Sequence, residues 1–290
     1  MKLRDWIDVE KLEWFLLTIN PNAIVILENN LEEIDWNELS TNPNAIKLLK
    51  ENPRRIDWKE LSLNPNAIDM IKENIYKINW FNLSLNPNAI EILKENPDKI
   101  DWSLLSTNPN AIELLKENPE KINWYELSSN PNAIKLLEKN KNKIYWYYLS
   151  LNPNAIKLLE ENPDEIDWDQ LSENPNSIKI LEKNMDKINW KRLCLNPNGI
   201  ELLKKNPEKI DWNLLSRNPN AIDLLEKNQD KINWNLLSLN PSIFTYDYNK
   251  IKKNFEELGE EIIAKALHPK RIFRLIEEYG EEEIYNNYFE

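Results

Sequence analysis

Glycine, histidine and cysteine are almost missing from this chain of 290 residues, which holds three, one and one of them. With glycine only at 199, 259 and 280, no Gly-rich loop able to cradle a phosphate can be drawn. One His and one Cys cannot assemble a zinc site of the usual ligand set, and a single thiol gives no disulfide framework. No cofactor or metal is therefore expected. Basic residues are also in deficit, 37 Lys+Arg against 49 Asp+Glu for a formal net charge of −12. Phosphate backbones and anionic lipid bind clustered Lys and Arg, so neither nucleic acid nor a membrane is expected as a partner. No apolar run approaches the roughly 18 residues of a membrane span. The first ten residues lack an apolar signal core, which makes a reducing, cytoplasmic compartment the expectation.

What the chain does have is twelve Trp and seventeen Pro, and the tryptophans are periodic. Trp14, Trp36, Trp58, Trp80, Trp102, Trp124, Trp146, Trp168, Trp190, Trp212 and Trp234 follow one another at an interval of 22. A Leu stands three positions after most of them, followed by Ser40, Ser62, Ser84 and their equivalents, with Thr18 and Cys194 as exceptions. Asn-Pro comes next, from Asn20-Pro21 to Asn240-Pro241, generally completed as Asn-Pro-Asn-Ala-Ile. Repetition without one insertion requires every unit to occupy an equivalent slot.

The unit reads as two short helices. In Asn42-Pro43-Asn44-Ala45-Ile46-Lys47-Leu48-Leu49-Lys50-Glu51-Asn52-Pro53, Asn42 suits an N-cap and Pro43 the first helical position. Ala45, Ile46, Leu48 and Leu49 mark one apolar face, which predicts a helix of about nine residues. Asn52 is expected to end it in a left-handed conformation, with Pro53 blocking continuation. The second helix spans Ile56 to Ser62 and opens on Asp or Asn in most copies. Its start is open, because Asn52-Pro53 could instead cap a longer helix running through Trp58. A strand-based solenoid would need an alternating Leu-x-Leu segment, which the paired apolar spacing does not supply.

Neither helix is long enough to persist alone in water, so stacking must stabilise both. The indoles of Trp36, Trp58, Trp80, Trp102, Trp124, Trp146, Trp168, Trp190, Trp212 and Trp234 are expected to form the core ladder. Each would bury about 150 to 250 Å², a gross gain of about 4 to 6 kcal/mol. The recurring Asn and Ser read as buried ladders that satisfy backbone groups. The fold expected is an all-α α-solenoid of about eleven 22-residue two-helix repeats with helical terminal caps. Residues 1–19 form the N-terminal cap and the start of the first repeat, 20–241 the solenoid, and 242–290 a helical cap covering the last Trp face. The tail 281–290 either packs or frays.

The unit Ile-Asx-Trp-x-x-Leu-Ser-x-Asn-Pro-Asn-Ala-Ile-x-Leu-Leu-x-x-Asn-Pro-x-Lys, followed by Glu261-Ile262-Ile263-Ala264-Lys265-Ala266-Leu267-His268-Pro269-Lys270-Arg271-Ile272, resembles tandem-repeat proteins of giant amoebal DNA viruses, the mimivirus-like group. The resemblance covers nearly the whole chain. It implies repeat proteins of uncharacterised role that bind other proteins in the infected host cytoplasm or are packaged in virions, and it carries no catalytic residues.

If the invariant positions build the scaffold, function belongs to positions that vary at a shared phase. The residue after each Trp is one, and it turns aromatic mid-chain. Phe81, Tyr125, Tyr145, Tyr147 and Tyr148 are the candidate partner-binding residues, since Tyr is rigid, amphipathic and enriched at interfaces; packing between repeats is the competing reading. His268 reads as a packing or capping residue and Cys194 as a small buried substitute for Ser. The carboxylates around Glu160 to Asp169 lack calcium-loop spacing and read as a solvated face. Lys270, Arg271 and Arg274 are too few to imply nucleic acid. No residue is assigned to catalysis. The chain is expected to be a non-enzymatic scaffold recruiting a protein partner along one solenoid face, as a monomer or weak homo-oligomer. The alternative is a structural virion or self-assembling component acting through its caps.

Overall fold

The computed structural model describes residues 1–280 and separates into two units, Leu3–Phe244 and a smaller one holding Met1–Lys2 and Thr245–Glu290. The larger unit is an all-α solenoid. Each repeat contributes a Trp helix such as Trp36–Thr41, a turn, an Ile helix such as Ile46–Glu51, and a short 3-10 helix such as Pro53–Arg55. The 3-10 helix settles the open boundary, because the backbone becomes extended at Ile56 and Asp57 before the next Trp helix, Trp58–Leu61, begins. Asp57 accepts hydrogen bonds from the amides of Lys59 and Glu60, which makes it an N-cap. The 3-10 helix also forms at Lys141–Lys143, Met185–Lys187 and Gln229–Lys231, where no Pro stands at its first position.

Both asparagines differ from expectation. Asn42 does not cap an Ile helix. Its side-chain carbonyl accepts the Asn44 amide in a tight turn, Ala45 N–H bonds to its main-chain carbonyl, and the helix starts only at Ile46. The reason lies in the neighbouring repeat: Asn42 Nδ2 donates to the carbonyls of Thr18 at 2.9 Å and Asn20 at 3.1 Å, so the side chain is fixed between units. Asn52 is not left-handed, with φ −126° and ψ 56°. Its side-chain amide takes the Leu48 carbonyl four residues back, which closes the helix end without a reversed turn.

The core ladder also differs. Fully buried at each step are a Leu of each helix, such as Leu39 and Leu49, together with Ala45, Ser40 and Asn42. Trp36, Trp58, Trp80, Trp102, Trp124, Trp146, Trp168, Trp190, Trp212 and Trp234 pack against that core but stay half-buried. Each opens its helix, so the following third and fourth positions face inward while the indole lies at the step between units. A cation of the next unit covers several rings: Arg55 lies over Trp36 at 5.1 Å, Lys77 over Trp58 at 4.6 Å, Lys143 over Trp124 at 4.4 Å, Lys187 over Trp168 at 4.5 Å and Lys231 over Trp212 at 4.7 Å.

The ends do not cap an open stack; they meet. Lys11 stands three residues before Trp14, as Lys77 stands before Trp80, and it lies 5.0 Å from the ring of Trp234. Glu13 N–H donates to Ser238 Oγ as Asp57 N–H does to Ser40 Oγ. Asn20 Nδ2 donates to the Ser238 and Asn240 carbonyls, and Asn22 Nδ2 to that of Pro241, repeating the bonds of Asn42 and Asn44 one unit on. The cation, serine and asparagine contacts that join consecutive repeats thus also join the eleventh to the first, and the unit is a closed ring. Strands Lys2–Leu3 and Phe244–Thr245 pair beside this seam, Arg4 N–H donates to the Ile243 carbonyl, and Trp6 meets Trp234 edge-on at 6.4 Å. Trp6 and Lys11 therefore lie against Trp234, as the N-terminal segment's share of the seam.

The smaller unit carries two helices, Tyr248–Ala266 and Pro269–Tyr279. His268 is a cap, its Nδ1 accepting the Lys270 amide at 3.3 Å. The tail at 281–290 lies outside the described residues. Among the described residues no helix is long and apolar enough to cross a membrane.

Candidate functional site

Ring closure gives the repeats an inner and an outer surface. Consecutive Trp helices, such as Trp146–Leu151 and Trp168–Glu173, pack directly on one another, whereas Ile helices are separated by grooves. One groove, about 920 Å³, is lined by Pro109, Ile112, Lys116, Pro131, Ile134 and Lys135 among others. The closely spaced layer of a closed array is the inner one, so the Trp helices line the opening. On each of them the third and fourth residues after Trp face the core, and the first points away from it. Eleven steps at a helix packing distance of about 8–10 Å, less the helix half-width, leave an opening of roughly 20 Å.

On this inner surface the sequence candidates separate into a cluster and an outlier. Tyr125 and Tyr145 meet edge-on at 5.2 Å between centroids, as Tyr147 and Tyr148 do at 5.1 Å, and Tyr125 and Tyr148 are tilted at 4.2 Å. The hydroxyls of Tyr125 and Tyr148 share a hydrogen bond. Tyr125, Tyr145 and Tyr147 remain 40–50% exposed. Phe81 is more open still, but it stands two units before Tyr125, with Ser103 between them at the same phase, and does not join the cluster. The bond from Tyr125 is the main cause that pushes the Tyr148 phenol up to about 12, with burial adding to it.

The slot these tyrosines fill holds polar pairs elsewhere. Asn123 Nδ2 donates to Ser103 Oγ at 2.6 Å, Asn189 Nδ2 to Asp169 at 2.9 Å, and Asn233 Nδ2 to Asn213 at 3.1 Å. Tyr145 takes the place of the N-cap residue, which is Asp or Asn before every other Trp from Trp36 to Trp234, and its side chain makes no capping bond. This unit gives up a cap worth about 1 kcal/mol in exchange for an aromatic surface. Compared with family models, curated proteins and solved structures, the chain matches none of them. The site's own chemistry is what bears on function.

Among the described residues no group of three His, Cys, Asp or Glu is placed to hold a metal ion. Cys194 is fully buried at the Ser position, accepting the Asp211 amide and bonding the Trp190 carbonyl at 3.3 Å each, and burial raises its thiol pKa. Burial and the neighbouring Asp35 and Glu60 carboxylates raise the pKa of Glu38, which lies on the Trp36–Thr41 helix. The outer carboxylates Glu160, Glu161, Asp164 and Glu165 are solvent-exposed. The cations that lie over the indoles, Lys77, Lys143 and their equivalents, were missed in the sequence. Their recurring place three residues before the next Trp, taken by Glu only at 33 and 165, was the available signal.

Proposed function

We propose that the ring is a non-enzymatic scaffold that receives a segment of a protein partner on its inner surface, with Tyr125, Tyr145, Tyr147 and Tyr148 as the contact. The observation that carries this reading is Tyr145. A residue chosen against the stability of its own helix, in an array whose other units from Trp36 to Trp234 keep the cap, marks selection for something beyond folding. Half-exposed tyrosines supply large, rigid, amphipathic contact area at little entropic cost, which suits peptide recognition. An opening of roughly 20 Å admits a single helix, about 10–12 Å wide with its side chains. With the resemblance to giant-virus repeat proteins, the partner is of viral or host origin and the site of action the host cytoplasm.

The test is site-specific photocrosslinking. A benzophenone amino acid at Tyr147 should capture one defined partner in the native cell, and the same probe at Lys135 on the outer surface should not. The variant Tyr125→Ser/Tyr147→Ser/Tyr148→Ser should retain its unfolding transition and lose the adduct formed from a probe at Tyr145. Equal capture from both surfaces defeats the reading. Unfolding of the triple variant would make these tyrosines packing residues.

A further inference from the structure

Carboxylates without a counterion stand beside the tyrosine cluster. Along the Trp helices the cations Lys59, Lys191 and Arg192 are each paired with a carboxylate, Lys59 with Glu60 at 3.2 Å, Lys191 with Asp211 at 3.9 Å and Arg192 with Glu173 at 3.0 Å. Arg217, three units after Tyr147, is the other cation on these helices. Glu126 and Asp169 form no ion pair among the described residues. Glu126 follows Tyr125 on the Trp124–Leu127 helix. After the Tyr125 hydrogen bond and burial, its field adds to the upward shift of the Tyr148 phenol, which places the carboxylate at the cluster. Asp169 holds the phase of Tyr147 one unit on, where the two Trp helices pack directly. The Asn189 amide bonds it at 2.9 Å, which orients the carboxylate and leaves its charge in place. The lysines three residues before Trp146 and Trp190 lie instead over indoles, Lys143 over Trp124 at 4.4 Å and Lys187 over Trp168 at 4.5 Å.

Phenol rings flanked by unpaired carboxylates suit a cation. The ring face carries the negative lobe of the aromatic quadrupole, and an Arg or Lys laid over it is attracted more strongly as water is excluded. A carboxylate at the edge of the ring can take the same guanidinium or ammonium in a charge-assisted hydrogen bond. An acidic segment would meet Glu126 and Asp169 as like charges, and a wholly apolar one would desolvate both without a partner. We infer that the segment received here is basic, presenting Arg or Lys to Tyr125, Tyr147 and Tyr148, with Glu126 and Asp169 holding the cations at the two ends of the cluster. The inference rests on the reading of the inner surface as a partner site and adds the chemistry of what enters it.

The probe is a set of alanine-based helical peptides of about 15 residues whose one face carries Arg, Lys, citrulline, Glu or Leu. Fluorescence anisotropy with the full chain should show binding of the Arg and Lys peptides. Citrulline, which keeps the shape of Arg without its charge, should bind about tenfold more weakly. Because the chain's net charge of −12 attracts any cation, the decisive comparison is between surfaces. Glu126→Gln/Asp169→Asn should weaken the Arg peptide about fivefold or more, while Glu160→Gln/Glu161→Gln, an equal change of charge on the outer surface, should leave it within about twofold. Tyr147→Leu should weaken it about threefold and Tyr147→Phe should not, since Phe keeps the ring face. Tryptophan fluorescence checks that each variant unfolds as the parent does, and if Tyr147→Leu fails this check, the carboxylate and citrulline comparisons still decide. Preference for the Leu or Glu peptide that depends on Tyr147 would keep the site and overturn its basic partner. Equal losses from the inner and outer substitutions, or no binding of any peptide, also overturn the inference, whereas the site itself stands or falls on crosslinking from Tyr147.

Discussion

Asn130 shows what a single side chain does in this ring. Its Nδ2 donates to the carbonyls of Ser106 and Asn108, its Oδ1 accepts the Asn132 amide, and all of it is buried. Removing one buried partner leaves the others with the full cost of desolvation, about 1–3 kcal/mol for each orphaned group. Asn130→Ala is therefore expected to destabilise by about 3 kcal/mol or more in urea unfolding, and more than Ser128→Ala, whose hydroxyl serves only the Trp124 carbonyl and the Tyr145 amide. Equal losses would mean that the asparagine ladder is incidental to stacking. Cys194 keeps its Ser-like geometry through sulfur, so the thiol is a packing atom at this position. Because burial raises its pKa, its neutral form contributes stability that is present below the ordinary thiol pKa and lost as the pH rises through the folded-state value.

Among the elements, the Trp146–Leu151 helix is the exception that points to use. The other Trp helices from Trp36 to Trp234 begin on a side-chain cap, as Trp58–Leu61 does on Asp57 and Trp124–Leu127 on Asn123. Tyr145→Asp restores the cap and should raise stability by about 1 kcal/mol, read from the shift of the denaturation midpoint. The same substitution removes one ring from the cluster, so a gain in stability should accompany loss of partner crosslinking. A fall in stability would show that the ring contact with Tyr125 outweighs the cap.

At the level of the whole ring, closure changes how the repeats share stability. In an open solenoid the terminal units fray, since each contacts one neighbour. Here the first unit has the eleventh beside it, and the amides of Arg4 and Glu13 are bonded across the seam. Hydrogen exchange should therefore protect Glu13 about as well as Asp57, its equivalent between the second and third units. Deletion of residues 1–12 removes Trp6 and Lys11 from Trp234 and should release that protection together with that of the last repeat. Rapid exchange at Glu13 in the intact chain would mean an open stack.

Periodicity alone determined the solenoid. Eleven tryptophans at one interval demand equivalent units, and the Asn and Ser ladders follow from buried helix ends that lack partners. The tyrosines were legible because they break the pattern at a shared phase, though only the coordinates separate Phe81 from the other four. Tertiary structure decided the depth of the indoles, the turn at Asn42 and the closure of the ring. All three depend on the small rotation from one unit to the next, which no residue encodes by itself. That rotation sets whether a ring lies inside the stack or at its step, and whether the eleventh unit finds water or the first.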